Sequence, residues 1–176
     1  MRHRKRGRKL GVSPSHRHAM AKNMIKALLD HERIVTTIEK AKQFKPLADQ
    51  VIHLGKVASQ LPQDTEVNKA KRLNMVRKAA SLIGDRELQN PLVSTETVDD
   101  GKEKVTKQKV IGHTTLQKLI KDIGPRNAKR NGGYTRIIKL ARKRVGDNAS
   151  RCIFELVESK WTKVDKPEKA EKAEVK

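Results

Sequence analysis

The excess of positive charge is the feature that most constrains this chain. Its 176 residues include 41 Lys and Arg against 20 Asp and Glu, which gives a formal net charge of +21. Hydrophobic residues make up 35% of the chain and aromatic residues 2%, so a core must be small and mostly aliphatic. A field of this strength attracts anions, and phosphate backbones are the usual partner. Because aromatic side chains are scarce, we expect phosphate and shape contacts rather than base stacking.

The charge begins with the first ten residues, MRHRKRGRKL, which include six Arg and Lys side chains and no acidic one. Like charges in a block repel one another and cannot bury apolar surface, so a solvated tail is one interpretation. The other is a basic extension that follows crevices in a polyanion and becomes ordered as it binds. We favour the second interpretation and predict a basic N-terminal extension over residues 1–12, flexible in the isolated protein.

Several classes of protein are excluded by what the sequence lacks. Cys152 is the only cysteine, so neither an intramolecular disulfide nor a CxxC zinc site is expected. His16 and His18 are two residues apart and would point in different directions on a helix. The sequence contains no apolar run near ~18 residues, no secretory signal and no phosphate-loop or protease motif. We therefore predict a cytoplasmic protein without enzymatic activity, cofactor, metal, membrane insertion or small-molecule substrate.

The first helix is predicted from Pro14 to about Glu32, because Ser13 before a proline is a favourable N-cap. Residues at helical spacing form two faces. The basic face consists of His18, Lys22 and Lys26, and is either solvated or bound to phosphate. The packing face is expected to consist of Met20, Met24, Ala27, Leu28 and His31.

A short strand and a second helix follow. The β-branched run from Ile34 to Thr37 predicts a strand, and Thr36 with Glu39 predicts a capping box for the helix. Pro46 should kink or break this helix, because proline removes a hydrogen bond and clashes with the preceding turn. Its core stripe is expected to consist of Ala41, Phe44, Leu47, Ala48, Val51 and Ile52.

A third helix is predicted after Asp64 as N-cap and before Gly84 as the stop. Its inward residues should be Leu73, Val76, Ala80 and Ile83. The same helix is strongly basic, with Lys69, Lys71, Arg72, Arg77 and Lys78.

The segment from Asp85 to His113 contains acidic residues and lacks helical periodicity, with Asp100-Gly101 between two β-prone runs. A protruding hairpin and a flexible loop are equally compatible with it. Helical signals return in HTTLQKLIKDIG, where Gly124 is placed as a C-cap and Pro125 should prevent continuation. Its apolar face is Leu116, Leu119, Ile120 and Ile123.

Two β-prone stretches near the C-terminus, Tyr134 to Ala141 and Arg151 to Val157, flank a turn rich in Asp, Asn and Gly and should pair as an antiparallel hairpin. Cys152 would lie beside Phe154 and Leu156 as a buried small hydrophobe. The fold class is therefore α+β: three to four helices packed on a small sheet, which combines the short strand near 34–37 with this hairpin.

Several short motifs resemble the family of bacterial-type large-subunit ribosomal protein number seventeen. They are MRHRK, SHRHAMAKNM, TT before EKAK, GPR, GGYTRI, GDNA and ELV, in the order of the family. The resemblance covers most of residues 1–56 and 114–158, is loose in the middle, and leaves out the 85–113 segment and the C-terminal tail. Many family members have an aromatic residue after GPR, where this chain has Asn127.

The resemblance implies a structural role in the large ribosomal subunit, on its outer side toward the exit-tunnel region, with large-subunit ribosomal RNA and neighbouring ribosomal proteins as partners. It also implies an α+β RNA-binding domain over 13–158 with an insertion at about 85–113, followed by a low-complexity charged tail over 159–176. With the basic pattern, it predicts RNA contacts from Arg2, His3, Arg4, Lys5, Arg6, Arg8, Lys9, Ser15, His16, Arg17, His18, Lys22, Asn23, Lys26, Arg126, Lys129, Arg130, Gly132, Gly133, Tyr134, Arg136, Arg142, Lys143 and Arg144.

Two alternatives from other classes share some of these features. A DNA-binding nucleoid-type protein would have the same charge, but the sequence shows no recognition helix after a helix-turn-helix turn. An RNA-modifying enzyme would need an acid–base or metal constellation, and none is visible.

Overall fold

The first helix begins where the sequence places a proline after a serine. In the computed structural model, which describes residues 7–99 and 104–159, helix α1 spans Pro14–His31. The Ser13 hydroxyl accepts a hydrogen bond from the His16 N–H at 3.4 Å, as an N-cap should. Glu32 ends the helix at a φ of 61°, and strand β1 (Arg33–Thr37) follows at once. The predicted start of the helix and the predicted strand are both confirmed.

A three-stranded antiparallel sheet forms the base of the domain. Strand β4 (Thr135–Lys139) pairs with β5 (Arg151–Leu156), which confirms the predicted C-terminal hairpin. Strand β1 pairs with the other edge of β5, so the order is β1-β5-β4. The inner face of β5 is buried and includes Cys152 and Phe154. Burial, together with the negative charge of Glu39, raises the pKa of the Cys152 thiol, so this residue behaves as the small hydrophobe that was predicted.

Helix α2 (Ile38–Gln60) supplies the centre of the core, and its predicted apolar stripe is buried or partly buried. Pro46 lies inside this helix without ending it. The predicted capping box is wrong, because the strand continues to Thr37, which becomes the N-cap without a side-chain hydrogen bond. Helix α3 (Glu66–Ile83) begins after Thr65 rather than Asp64 and stops before Gly84, as predicted.

The packing faces of α1 and α3 differ in part from the predicted ones, since Leu28 and Ile83 are buried as predicted. On α1 the buried aliphatic residues are Ala21, Ile25, Leu28 and Leu29, whereas His31 is exposed. On α3 the predicted Ile83 is buried and the predicted Val76 and Ala80 are partly buried, whereas Leu73 is 47% exposed and Ala79 is buried in addition. Both helices carry apolar residues on more than one face, so periodicity alone does not decide which face the sheet and α2 cover. Met20, Met24 and Ala27 are left half-buried.

The 85–113 segment forms a hairpin of β2 (Glu87–Asp99) and β3 (Lys104–Thr114), which settles the open choice in favour of the hairpin. Its predicted turn at Asp100-Gly101 lies outside the described residues. The base of the hairpin belongs to the core, since Leu88 and Leu92 are buried. Asp85 Oδ1 also accepts hydrogen bonds from the Thr115 hydroxyl at 3.2 Å and the Leu116 N–H at 3.3 Å.

Three helical segments run on from β3 without a break: α4 (Thr115–Lys118), a π-helical turn (Leu119–Ile123) and α5 (Gly124–Arg126). We call them the composite helix. The predicted stop at Gly124 is wrong, because Gly124 has helical angles and the wider turn lets its N–H donate to the Leu119 carbonyl. Pro125, which has no N–H to lose, is tolerated in the first turn of α5. The Asn127 N–H then donates to the Ile123 and Gly124 carbonyls, both at 3.2 Å, where the composite helix ends.

Gly124 is placed where the composite helix meets α2. A Cβ atom on Gly124 would lie 2.8 Å from both the Gly55 carbonyl oxygen and the Ser59 hydroxyl oxygen. Contacts this short do not occur between real Cβ atoms and backbone atoms. Helix α2 and the composite helix can approach this closely only because neither Gly55 nor Gly124 has a side chain.

We expect Gly124→Ala to destabilise the domain by about 1–3 kcal/mol, because the added methyl group forces the helices apart. The midpoint and slope of a urea unfolding curve measure this. Gly132→Ala is the matched control, since a Cβ there meets nothing within 4 Å, and it should change stability by less than about 0.5 kcal/mol. Equal midpoints for the two variants would show that the helix contact is not tight.

Candidate nucleic-acid interface

The described part of the N-terminal extension lies along the domain. The Arg8 N–H donates to Gln43 Oε1 at 2.6 Å, and the Arg17 guanidinium donates to the Lys9 carbonyl at 3.3 Å. These contacts bring the extension alongside α1 and α2, while the side chains of Arg8 and Lys9 remain exposed. The predicted site residues Arg2, His3, Arg4, Lys5 and Arg6 lie outside the described residues.

Helix α1 presents most of its predicted site residues to solvent. Ser15, His16, His18, Lys22 and Asn23 are exposed, and Arg17 and Lys26 are half-buried. The cations on this helix, Arg17, Lys22 and Lys26, form no ion pair with any side chain that the structure describes. Their charge is therefore uncompensated within the described part of the fold.

Two predicted arginines, Arg126 at the end of the composite helix and Arg130 just after it, are held against acidic residues. Arg126 binds Glu32 at 2.7 Å and Asp122 at 2.9 Å, and donates to the Glu158 carbonyl at 2.8 Å. Burial alone would lower the pKa of Arg126, but the hydrogen bond to Glu32 and the charge of Asp122 outweigh it and raise that pKa. Arg130 binds Glu158 at 2.8 Å. Both arginines are thus partly neutralised by the fold.

The outer face of the sheet shows the same arrangement. Glu155 on β5 is 0% exposed, and its two carboxylate oxygens bind Arg33 Nε and Arg136 Nε, each at 2.5 Å. The three residues lie side by side on adjacent strands, so each ion pair is a direct cross-strand pair. In the β4–β5 turn, Arg144 pairs with Asp147, and this hydrogen-bonded pairing holds the pKa of the Asp147 carboxyl well below its usual range.

Tyr134 is part of the core rather than of the surface. Its hydroxyl lies 3.1 Å from His53 Nδ1, and burial together with the negative charge of Asp49 raises its pKa. The neighbouring Gly132 and Gly133 are exposed, and Gly133 has a φ of 59°, so their main chain remains open to a ligand. Lys129, Arg142 and Lys143 are exposed and form no ion pair with a described side chain.

Helix α3 carries a basic surface that is evident in the sequence but is not among the predicted RNA contacts. The helix contains five cationic residues and one acidic residue. None of the five forms an ion pair within the described ranges 7–99 and 104–159. The end of α3 lies near α1, since Lys26 Nζ is 4.0 Å from where a Cβ of Gly84 would be. The α3 cations are Lys69, Lys71, Arg72, Arg77 and Lys78.

The structure therefore divides the cations into two groups. One group is ion-paired and consists of Arg33, Arg86, Lys118, Arg126, Arg130, Arg136 and Arg144. The other includes the cations of α1 and α3 together with Lys129, Arg142 and Lys143, which form no ion pair with a side chain in the described part of the chain. The sequence distinguishes paired from unpaired cations only weakly, because the acidic partner can be far along the chain. Glu155, for example, lies 19 residues after its partner Arg136.

Other kinds of site find little support among the described residues. No group of three or more His, Cys, Asp or Glu side chains within them is arranged to hold a metal ion. None of the helices in this part of the chain combines the length and apolar character needed to span a membrane.

The fold and this surface define a small, strongly basic α+β protein that carries uncompensated cations on its helices and in the loops near the C-terminal hairpin. A family model described as "Ribosomal protein L17" matches residues 20–157, a span that includes the hairpin. The chain belongs to this family, as its sequence motifs predicted.

Relatives agree with this assignment, and each bears the name large ribosomal subunit protein bL17. The relative from Geobacter metallireducens is 38% identical, over 99% of this chain and 75% of its own length. The relative from Syntrophotalea carbinolica is 40% identical over 92% of this chain and 78% of its own length. The relative from Magnetococcus marinus is 38% identical over 90% of this chain and 94% of its own length. These relatives are ribosomal proteins and not enzymes, as predicted for this chain.

We expect Arg136→Ala to lower the free energy of unfolding by about 1–2 kcal/mol, because it leaves the buried Glu155 carboxylate with fewer hydrogen bonds. The cost is moderate because the Arg136 side chain is 42% exposed and Arg33 remains in place. Arg142→Ala is the control, since Arg142 is exposed and unpaired among described residues, and should leave stability within about 0.5 kcal/mol. Chemical denaturation of both variants tests the difference, and similar losses would contradict it.

Proposed function

We propose that this chain is a structural component of the large ribosomal subunit and binds large-subunit ribosomal RNA through phosphate and shape contacts. Membership of the L17 family and the names of the relatives support the ribosomal assignment. The observation that carries the RNA-binding part is the set of cations on α1 and α3 without acidic partners in the described part of the chain. Neighbouring proteins of the subunit are the other partners, and the location is the bacterial cytoplasm.

The uncompensated lysines are suited to phosphate because a lysine ammonium makes strong point-charge contacts without fixed geometry. Each phosphate that they neutralise releases condensed counterions, which makes the binding dependent on salt. The ion-paired arginines play a different part, since their first role is to hold the fold together. Their remaining N–H groups are available for phosphate once the acidic partner has fixed the guanidinium in place.

Base stacking contributes little in this account. Phe44, Tyr134 and Phe154 are the aromatic residues in the described part of the chain, and all three are buried. Proteins that recognise the base sequence of RNA loops usually stack the bases on exposed aromatic side chains. Recognition here is therefore assigned to the shape of folded RNA, with the exposed main chain at Gly132-Gly133 and the nearby Lys129, Arg142 and Lys143 as a second contact region.

A DNA-binding nucleoid-type function is the alternative, and the family assignment does not favour it. The two functions are separated by competition between a large-subunit RNA fragment and duplex DNA of equal length. The ribosomal proposal requires the RNA to be bound more tightly at the same salt concentration. Equal affinities would favour the nucleoid alternative.

We expect the double variant Lys22→Ala with Lys26→Ala to bind ribosomal RNA more weakly and with less salt dependence. The slope of log affinity against log salt should become shallower by about 1–2, since each phosphate contact contributes roughly 0.7–0.9. The variant with both lysines changed to arginine keeps the charge and should keep the slope. Filter binding at several salt concentrations gives both slopes. If the alanine variant keeps the wild-type slope, the phosphate contacts lie elsewhere.

We expect deletion of residues 2–10 to reduce incorporation into the large subunit sharply while the domain stays folded. Replacing residues 94–109 with a short Gly/Ser linker should matter much less, since halving a surface loop changes its closure cost by only ~0.6 kcal/mol and the buried Leu92 is kept. Reconstitution followed by sedimentation measures incorporation, and circular dichroism confirms folding. Normal incorporation of the truncated chain together with failure of the linker variant would overturn this ranking.

A further inference from the structure

Strand β1 lies at an edge of the sheet, and its hydrogen-bonding pattern shows which residues face outward. The Leu156 N–H donates to the Glu32 carbonyl, and the Ile38 N–H donates to the Ser150 carbonyl. In an antiparallel pair these bonds recur at every second residue, so Ile34 and Thr36 also face β5. The N–H and C=O groups of Val35 and the N–H of Thr37 therefore point to the other side, where the described part of the chain provides no further strand. The Thr37 carbonyl is used by helix α2, of which Thr37 is the N-cap.

An open groove of about 710 Å³ runs along this free edge, between β1 and α1. Three consecutive residues of the strand, Ile34 to Thr36, line it. Side chains of consecutive residues point to opposite faces of a sheet, so only the edge of the strand, and not a face, can present all three. The opposite wall is one side of α1 over three turns, from His16 to Ala27.

The dimensions of the groove match an extended peptide. Twelve residues of α1 span about 18 Å and five residues of β1 about 16–17 Å. A segment of roughly five extended residues has the same length and would hydrogen-bond to the N–H and C=O of Val35 and to the N–H of Thr37. Adding a strand to an open edge in this way is a recurrent mode of peptide recognition.

The chemistry of the groove favours a protein segment that is not itself cationic over a cationic segment or a nucleic acid. Met20, Met24 and Ile34 give it an apolar floor, and Val35 is 53% exposed on the outer face of the sheet. Its charged lining consists of Lys40, with His16 at one end, and no carboxylate lines it. A phosphate backbone would leave the apolar floor and the strand N–H and C=O groups without matching partners.

The N-terminal segment of the chain and a second copy of it are both poor matches for this groove. Its N-terminal segment, MRHRKR, carries the same sign of charge as the groove lining and no aliphatic side chain beyond Met1. A second copy would bring another net charge of +21 to the contact, and self-repulsion opposes such a dimer.

We propose that the free edge of β1 and the groove beside α1 bind an extended segment of a neighbouring large-subunit protein as a fourth strand of the sheet. Alternate apolar side chains of that segment contact Met20, Met24 and Ile34, and an acidic residue at one end lies near Lys40. The identity of the particle rests on the proposed function, whereas the docking mode rests on the strand edge and the groove.

Amide hydrogen exchange tests this docking mode, with full-length protein alone compared with the same protein in purified large subunits. We expect the Val35 amide to exchange on the order of 100-fold more slowly in the subunit, because it gains a strand hydrogen bond. The Ile34 and Thr36 amides are the internal controls, since β5 already holds them in the free protein. An unchanged Val35 rate in subunits that contain the chain overturns the docking proposal alone, whereas absence of the chain from subunits overturns the proposed function as well.

A pair of variants tests the same edge. Val35→Pro removes the outward N–H and leaves the bonds to β5 intact, which edge strands tolerate. Val35→Thr keeps the N–H and the β-branched shape. We expect the proline variant to be washed from subunits at a salt concentration that the threonine variant survives, while both bind isolated ribosomal RNA equally. Equal retention of the two variants overturns the proposal, and a misfolded proline variant leaves the exchange measurement as the deciding test.

A photo-reactive amino acid in place of Met24 identifies what occupies the groove in the subunit. A cross-link to an apolar, acid-containing segment of another ribosomal protein, together with slow Val35 exchange, supports the proposal. A cross-link to RNA overturns it. Two results with the free protein also overturn it. Slow Val35 exchange that is lost on removal of residues 160–176 assigns the groove to the chain's own tail. Slow Val35 exchange that depends on protein concentration assigns the groove to a second copy.

Discussion

Strand β5 is the element on which the rest of the domain depends. It pairs with β1 on one side and β4 on the other, so it joins the beginning of the chain to its end. Its inner residues, Cys152, Phe154 and Leu156, close the core under α1 and α2. Its outer carboxylate, Glu155, holds one arginine from each neighbouring strand. Without β5 neither the sheet nor the wall of the groove beside α1 would exist.

The division of the cations into paired and unpaired groups explains how a chain with a net charge of +21 folds at all. Arg33, Arg126 and Arg136 lie next to buried carboxylates, where an unpaired charge would be costly. The unpaired lysines of α1 and α3 are exposed or half-buried, so water screens their repulsion until a polyanion arrives. The acidic residues are few, and the fold places several of them where they hold the sheet and the composite helix.

The sequence predicted most of the fold because its signals are local. Ser13-Pro14, the β-branched run at Ile34 and the turn between β4 and β5 each act over a few residues, and the family motifs placed the chain correctly. Its errors arose where tertiary contacts decide. Gly124 was predicted as a helix stop, yet it serves a close helix contact, and Leu73 was predicted to face the core but is 47% exposed. The pairing of Arg136 with Glu155 depends on strand register, which composition does not reveal.

The pairing of β1 with β5 also determines when the domain can form during synthesis. Arg33 and Glu155 are 122 residues apart in the chain, and contacts of such long range are slow to form because a large loop must close first. While the chain is being made, α1 and β1 emerge early and β5 near the end. The N-terminal half must therefore wait with both edges of β1 open, and during that interval its high positive charge protects it from aggregation.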